Sequence, residues 1–262
     1  MAEFHIVNVD AGNVGEHGFF CVKNKKHPGY VAKLQWLRQR FEEGLRIKLI
    51  QTQDNQKAGF LEYIPGEYTW RVVNAPDYLV IHCLWVASNK FPYRGMTRKL
   101  LTACDSDARQ GGYRGVAVVT SDGPWMAGSA VYLKHGFRLV DRAPPHFQLL
   151  SKAIATGKAR EPSFPDNWEQ RLKKHRGLKL LYTNQCPYMG KAAQELPPVA
   201  EQHGVRLKLV TLKSAAEARQ QLATPYGMIN LVHKGQLLAD HPISATRFRN
   251  ILQKDLGLSP QT

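Results

Sequence analysis

Apolar and polar positions alternate along "FHIVNV", residues 4–9, with the two-residue period of a half-buried strand. In "GYVAKLQWLRQRFEEG" the period lengthens. Val31, Leu34, Leu37 and Phe41 share one helical face there, and Gly44 supplies a stop. "RIKLIQT" reads as a short strand, and "AGFLEYIPGEYTWRVVN" as a hairpin turning through Pro65-Gly66. The longer apolar run "DYLVIHCLWVAS" predicts a central strand buried on both faces. A helix from Gly95 to about Gln110 ends at Gly111-Gly112. After it come a buried strand "RGVAVVT", a helix over "PWMAGSAVYLKHG" and two strands, "FRLVDR" and "HFQLLSK".

Residues 153–176 interrupt this pattern with prolines and charges, as a linker carrying at most one short helix would. Beyond them strands are predicted at "LKLLYT", "RLKLVTL", "MINLVHKG" and "QLLAD". Helices are predicted over Met189–His203, "SAAEARQQL" and "TRFRNILQK". That βαβαββα order is the order of a thioredoxin-like fold. The expectation is therefore two α/β domains, 1–152 and 177–262, joined by 153–176.

The apolar content of 43% suits a packed protein. No apolar run is long enough to span a membrane, and the first residues lack the layout of a signal peptide, so a cytoplasmic location is expected. Four cysteines stand far apart without a CxxC pair, which suggests neither zinc nor a disulfide framework. Charge departs from the ordinary: 36 Lys and Arg face 21 acidic residues, giving +15 and a pI near 9.8. The block from Lys23 to Lys48 is densest, and a chain so basic attracts polyanions at long range.

In "VASNKFPYRGMTRKLL" a strand runs through a loop into a helix, with Gly95 where backbone N–H groups would close on a phosphate. Tyr93 and Thr97 stand where further glycines are usual, and Arg94 and Arg98 add charge. The order and spacing of "YLVIHCLWVAS", "YRGMTRKLL" and "SAVYLKHGF" resemble the GCN5-related N-acetyltransferase (GNAT) superfamily. More narrowly, "GFFCVKNKKHPGYVAKLQWLRQRFEEGLRIK", "LEYIPGEYTW", "SDARQGGYRGV" and "LYTNQCPYMGKA" are similar to the YoaP-like acetyltransferases. The resemblance implies an N-terminal GNAT fold, a mixed and mostly antiparallel sheet with helices on both faces, followed by the thioredoxin-like module.

It implies further that the central strand bulges at Trp85–Ser88 and that a backbone N–H there polarises the donor carbonyl. Trp85, Val86 and Ala87 would receive the pantetheine arm of CoA. The pyrophosphate would rest on Tyr93, Arg94, Gly95, Met96, Thr97 and Arg98. Tyr132 takes the place of a tyrosine that protonates the departing thiolate, a task a phenol can perform at neutral pH. For the base, Glu62 and Glu67 flank the hairpin turn and His82 lies on the adjacent strand. Strand alternation lets only one of Glu62 and Tyr63 look into the cleft. Cys186 opens a helix, where the dipole lowers a thiol pKa, and Pro225 precedes a strand where thioredoxins carry a cis-proline. Position 189 is Met, so dithiol catalysis is not expected; a monothiol role or a redox-inactive docking role remains for this module, with docking favoured.

The expected activity is acyl transfer from acetyl-CoA or another acyl-CoA to the amine of a small molecule, without a metal. An aminoacyl-tRNA donor is the alternative, with Lys25, Lys26, Arg38 and Arg40 as tRNA contacts. A catalytically silent nucleic-acid-binding protein is the third reading.

Overall fold

The computed structural model describes residues 4–22, 24–87, 90, 94–155 and 160–260. The first half builds a seven-stranded sheet in the order β1-β2-β3-β4-β5-β7-β6. Its strands are β1 (Phe4–Val9), β2 (Arg46–Thr52), β3 (Lys57–Pro65), β4 (Tyr78–Val86), β5 (Gly115–Ser121), β6 (Arg138–Ala143) and β7 (Phe147–Ala153). All neighbours are antiparallel except β4 and β5. The turn α1 (Val14–His17) and the helix α2 (Tyr30–Glu42) lie between β1 and β2. Helix α3 (Met96–Gln110) links β4 to β5, and the short α4 (Ser129–Leu133) precedes β6.

Helices α2 and α3 cover opposite faces. Phe60 and Ile64 of β3 join the core that holds Trp36 and Leu37, whereas Leu61 and Tyr63 join the core under Leu100 and Leu101. Of the expected face of α2, Leu37 is buried and Leu34 and Phe41 pack against the core, but Val31 is exposed, and Lys33, Trp36 and Arg40 are buried as well. Two cations on an interior face are possible because β3 supplies a carboxylate opposite one of them and two indole rings flank the other. An apolar-periodicity argument cannot register either partner.

The expected hairpin also fails. Strand β3 pairs with β4, and the intervening Thr69–Val73 leaves the sheet while staying buried. Gly66 permits the departure, since a Cβ there would meet the Ala75 carbonyl oxygen at 1.9 Å. Between Gly123 and Gly128 the expected long helix is irregular, with Trp125 at φ +74°, and only α4 remains of it.

The segment after β7 is packed: Ser163 bridges to Asn74, and Phe164 and Trp168 of α5 (Trp168–Lys173) are buried. A second sheet follows in the order β11-β10-β8-β9, built from β8 (Leu178–Tyr182), β9 (Lys208–Thr211), β10 (Ile229–His233) and β11 (Gln236–Ala239). Strands β8 and β9 are parallel; the other pairs are antiparallel. Helices α6 (Pro187–Gln202), α7 (Ala215–Gln221) and α8 (Ala245–Asn250) complete the module, the last continuing as a π turn over Ile251–Asp255.

The two modules share one contiguous apolar core. Their backbones touch where side chains are missing: a Cβ on Gly29 would lie 1.9 Å from the Pro187 carbonyl oxygen, and one on Gly227 would lie 2.1 Å from that of Trp70. Val72 N–H donates to the Pro225 carbonyl, and the Thr224–Pro225 bond is trans. No described helix is long and apolar enough to cross a membrane.

Candidate active site

Strands β4 and β5 run together over only four pairs, Tyr78–Ile81 against Gly115–Val118. At that point β4 inserts an extra residue: Glu62 pairs with Cys83 and Tyr63 with Ile81, leaving His82 unpaired in the ladder. This bulge lies at His82 and not at Trp85–Ser88 as expected; Ser88 is outside the described residues. The extra residue flips the phase of the strand. Tyr78 and Val80 face the α2 side before it, and Cys83 and Trp85 do so after it, so consecutive residues His82 and Cys83 look the same way.

Past the bulge β5 pairs only with β7, and a gap opens between β4 and β5. Ala87 N–H donates to Ala58 across the β3 side. By antiparallel alternation Cys83, Trp85 and Ala87 therefore turn their main-chain groups to β3, while Leu84 and Val86 turn theirs to the gap. Of the expected pantetheine contacts, Val86 turns its main chain to the gap, whereas Trp85 and Ala87 turn theirs to β3; the Trp85 ring lines the cavity described next.

A cavity of about 460 Å³ occupies the gap and runs under the second module. Its polar wall centres on Glu62, which is 2% exposed. Glu62 Oε2 accepts from Lys33 Nζ at 2.6 Å, and Oε1 lies 3.4 Å from His82 Nδ1. His82 Nε2 accepts from Trp70 N–H at 3.2 Å and faces the Thr69 hydroxyl at 3.1 Å, which places the ring proton on Nδ1, toward Glu62. Burial pushes the His82 pKa down to about 4, against the pull of Glu62, so the ring is neutral. Burial opposes ionisation of Glu62, but Lys33 and His82 outweigh it and hold the carboxyl at about 2. Glu62 Oε1 has no direct hydrogen-bond partner among the described residues.

Tyr132 is buried on the cavity wall, and burial raises its pKa, with Cys83 adding to the rise. Three thiols reach the same space. Burial lifts Cys83 to about 12, Cys186 to about 11 and Cys21 well above its ordinary value, so all are protonated. The expected lowering at Cys186 is overturned: its place at the start of α6 is dry, and desolvation exceeds the helix dipole.

Beyond the C-terminal end of β4, Gly95 is the N-cap of α3 at φ +86°, with no atom within 4 Å of where a Cβ would stand. The first-turn N–H groups have no acceptor within the helix. Arg94 and Arg98 are exposed and Thr97 is half-buried, whereas the Met96 side chain belongs to the core and offers a ligand only its main chain. Tyr93 lies outside the described residues.

Glu62, His82 and Tyr132 thus meet at the cavity. Glu67 does not: it sits on the turn Gly66–Tyr68, exposed, its Oε1 accepting from Asp77 N–H at 3.0 Å. Lys25, Lys26 and Arg38 are exposed, but Arg40 is buried against the Trp36 and Trp70 rings and bonded to Glu43, so it is no tRNA contact. Lys33 and Lys48, counted in the basic block, are also buried in ion pairs. Sequence reasoning did not single out Lys33, Arg71, Gln185, Cys21 or Cys83 as cavity residues. A lysine and an arginine inside otherwise apolar stretches, "VAKLQW" and "TWRVV", were the available signal.

No family model matches the chain. A Bacillus subtilis (strain 168) protein named uncharacterized N-acetyltransferase YoaP is 26% identical over 250 residues, which are 94% of this chain and 97% of its own. Among solved structures, the Escherichia coli GNAT family N-acetyltransferase YhbS in complex with CoA aligns at a TM-score of 0.40 and 16% identity, over 64% of this chain and 93% of its own. The Thermoplasma acidophilum PaiA N-acetyltransferase in complex with coenzyme A aligns at 0.41 and 10% identity, over 58% and 99%.

Proposed function

We propose that the chain is a GNAT-type N-acyltransferase that moves an acyl group from acyl-CoA, acetyl-CoA foremost, to the primary amine of a small molecule. The observation that carries this reading is the parting of β4 from β5 at His82, beside a cavity that holds an ionised carboxylate and a protonated phenol. The name of the Bacillus subtilis relative agrees with it.

In this reading a main-chain N–H freed past the bulge polarises the thioester carbonyl. Glu62 Oε1 orients the amine and takes its proton only as the C–N bond forms, because a carboxyl held near 2 is a weak base. His82 Nε2 accepts from Trp70 N–H and the Nδ1 proton points toward Glu62, so the ring has no free lone pair for the proton and His82 positions Glu62 instead. Tyr132 gives its phenolic proton to the leaving thiolate. The pyrophosphate lies at Gly95 and the exposed Arg94 and Arg98.

The strand order of the second sheet supports a thioredoxin-like module whose role is to dock on the cleft, since Cys186 is a protonated thiol without a partner at position 189. Burial of Lys33, Arg40 and Lys48 removes charge from the surface that the aminoacyl-tRNA reading depended on, which weighs against it.

The test is mass-spectrometric detection of acetylated product from acetyl-CoA and a panel of primary amines. The unmodified protein should yield an N-acetyl product. Tyr132→Phe should slow turnover by roughly ten- to a thousandfold with unchanged acetyl-CoA affinity. A panel without any acetylated amine contradicts the proposal.

A further inference from the structure

Arg71 is the charge in this cavity that no carboxylate of the described residues pairs with. It is 2% exposed, and its guanidinium donates to two neutral groups, the His82 carbonyl at the bulge and the Tyr226 carbonyl of the second module. Its Nε has no partner among the described residues, and no ion pair involves it. Its field reaches the groups that line the cavity, acting on Cys83, Cys186 and Tyr132. Glu62 is committed to Lys33, His82 is neutral and the thiols are protonated, so the cavity carries one uncompensated positive charge. A buried cation without an anion is expensive, and a bound anion would answer it.

A second orphan faces the same space. Gln185 of the second module is 4% exposed, and its side-chain carbonyl oxygen is buried without a hydrogen-bond donor among the described residues. The wall therefore presents two acceptors in need of N–H groups, Glu62 Oε1 and Gln185 Oε1, and one cation in need of an anion. Around them stand Phe60, Trp85, Trp125, Tyr188 and Tyr226, and the volume suits a compact molecule.

We propose that the acyl acceptor is an amino acid: its amine meets Glu62 and Gln185, its carboxylate meets Arg71, and its side chain lies against the aromatic wall. The second module is then part of the acceptor site through Gln185. This rests on the acyltransferase reading above and is tested apart from it.

The probes are matched sets sharing one side chain: L-phenylalanine, L-phenylalaninamide and phenethylamine, with the corresponding methionine and leucine compounds. Binding to the full chain is measured by calorimetry with no acyl donor present, and acetyl-CoA affinity is measured separately. In at least one set the amino acid should bind about tenfold or more tighter than its amide, the scale of one charge-assisted contact. Arg71→Gln should erase that preference. Should that variant not fold, Gln185→Glu adds a negative charge to the same wall and should turn the preference toward the amine lacking a carboxylate. Equal binding of amino acid and amide in every set, or no binding by any of them, overturns the proposal. So does a preference that survives both substitutions. Loss of acetyl-CoA binding with the amino-acid preference intact contradicts only the acyltransferase reading.

Discussion

Removing the ammonium of Lys33 by Lys33→Met should destabilise the protein by about 3–5 kcal/mol, the usual cost of stranding one member of a buried pair. Lys33 Nζ and Glu62 Oε2 are 2.6 Å apart with side chains 1% and 2% exposed. At an effective dielectric near 20 their attraction is roughly 6 kcal/mol, and the desolvation of two ions offsets most of it. The intact pair thus adds little net stability, while either half alone costs several kcal/mol. The folded pKa of Glu62 would then rise above its unfolded value, because the carboxyl stays buried while its main counterweight is gone. A carboxyl shifted that way is tolerated below its unfolded pKa and penalised as pH rises toward the folded one. The variant should therefore lose more stability at pH 8 than at pH 5. Lys33→Met with Glu62→Gln should recover most of the loss while leaving transfer impaired. Urea midpoints of the three proteins at both pH values decide the matter. At a slope of about 3 kcal/mol per molar, Lys33→Met should lower the midpoint by about 1 M or more. A loss under about 1 kcal/mol, or one that is larger at pH 5, would refute the reasoning.

Two further predictions follow from the same geometry. Because burial holds His82 at about 4 against an ordinary 6.5, the unfolded chain takes up that proton first as pH falls, so stability declines through this window by roughly 3 kcal/mol. His82→Gln should flatten the midpoint profile between pH 6.5 and 4, and an unchanged profile would assign the decline elsewhere. Gly227→Ala, at φ +71° and with its Cβ 2.1 Å from the Trp70 carbonyl, should loosen the second module, seen as faster hydrogen exchange at Val72 and Thr183. Protection equal to the parent's would show that this contact yields without cost.

Much of this architecture could be read from residue patterns, and the failures share a cause. Strands β2, β5 and β8 and helices α3 and α6 announce themselves because their periodicity is local and their stops are glycines. The stretch Thr69–Val73 has the composition of a strand yet leaves the sheet, since its hydrogen bonds and burial come from Pro225, Trp36 and His82, all distant in sequence. On α2 the burial of Lys33 was missed for the same reason: it is interior because Glu62 lies opposite it. Glu62 and His82 could be chosen in advance from their place beside the bulge strand and Tyr132 from the family resemblance, although the bulge itself sits three residues earlier than expected. Arg71, Gln185 and the thiols Cys21, Cys83 and Cys186 could not, because they converge only when the second module closes over the gap.

The central claim is that an acyl-CoA lies along β4 with its pyrophosphate at the start of α3. Calorimetric titration of acetyl-CoA into the protein and into Gly95→Asp tests it most directly. A carboxylate at that N-cap opposes a phosphate through charge, while open space around Gly95 leaves room for the side chain itself. The account predicts saturable one-to-one binding to the parent and loss of it in a variant that still unfolds cooperatively. Equal affinity in both proteins, or no binding to the parent, would contradict it.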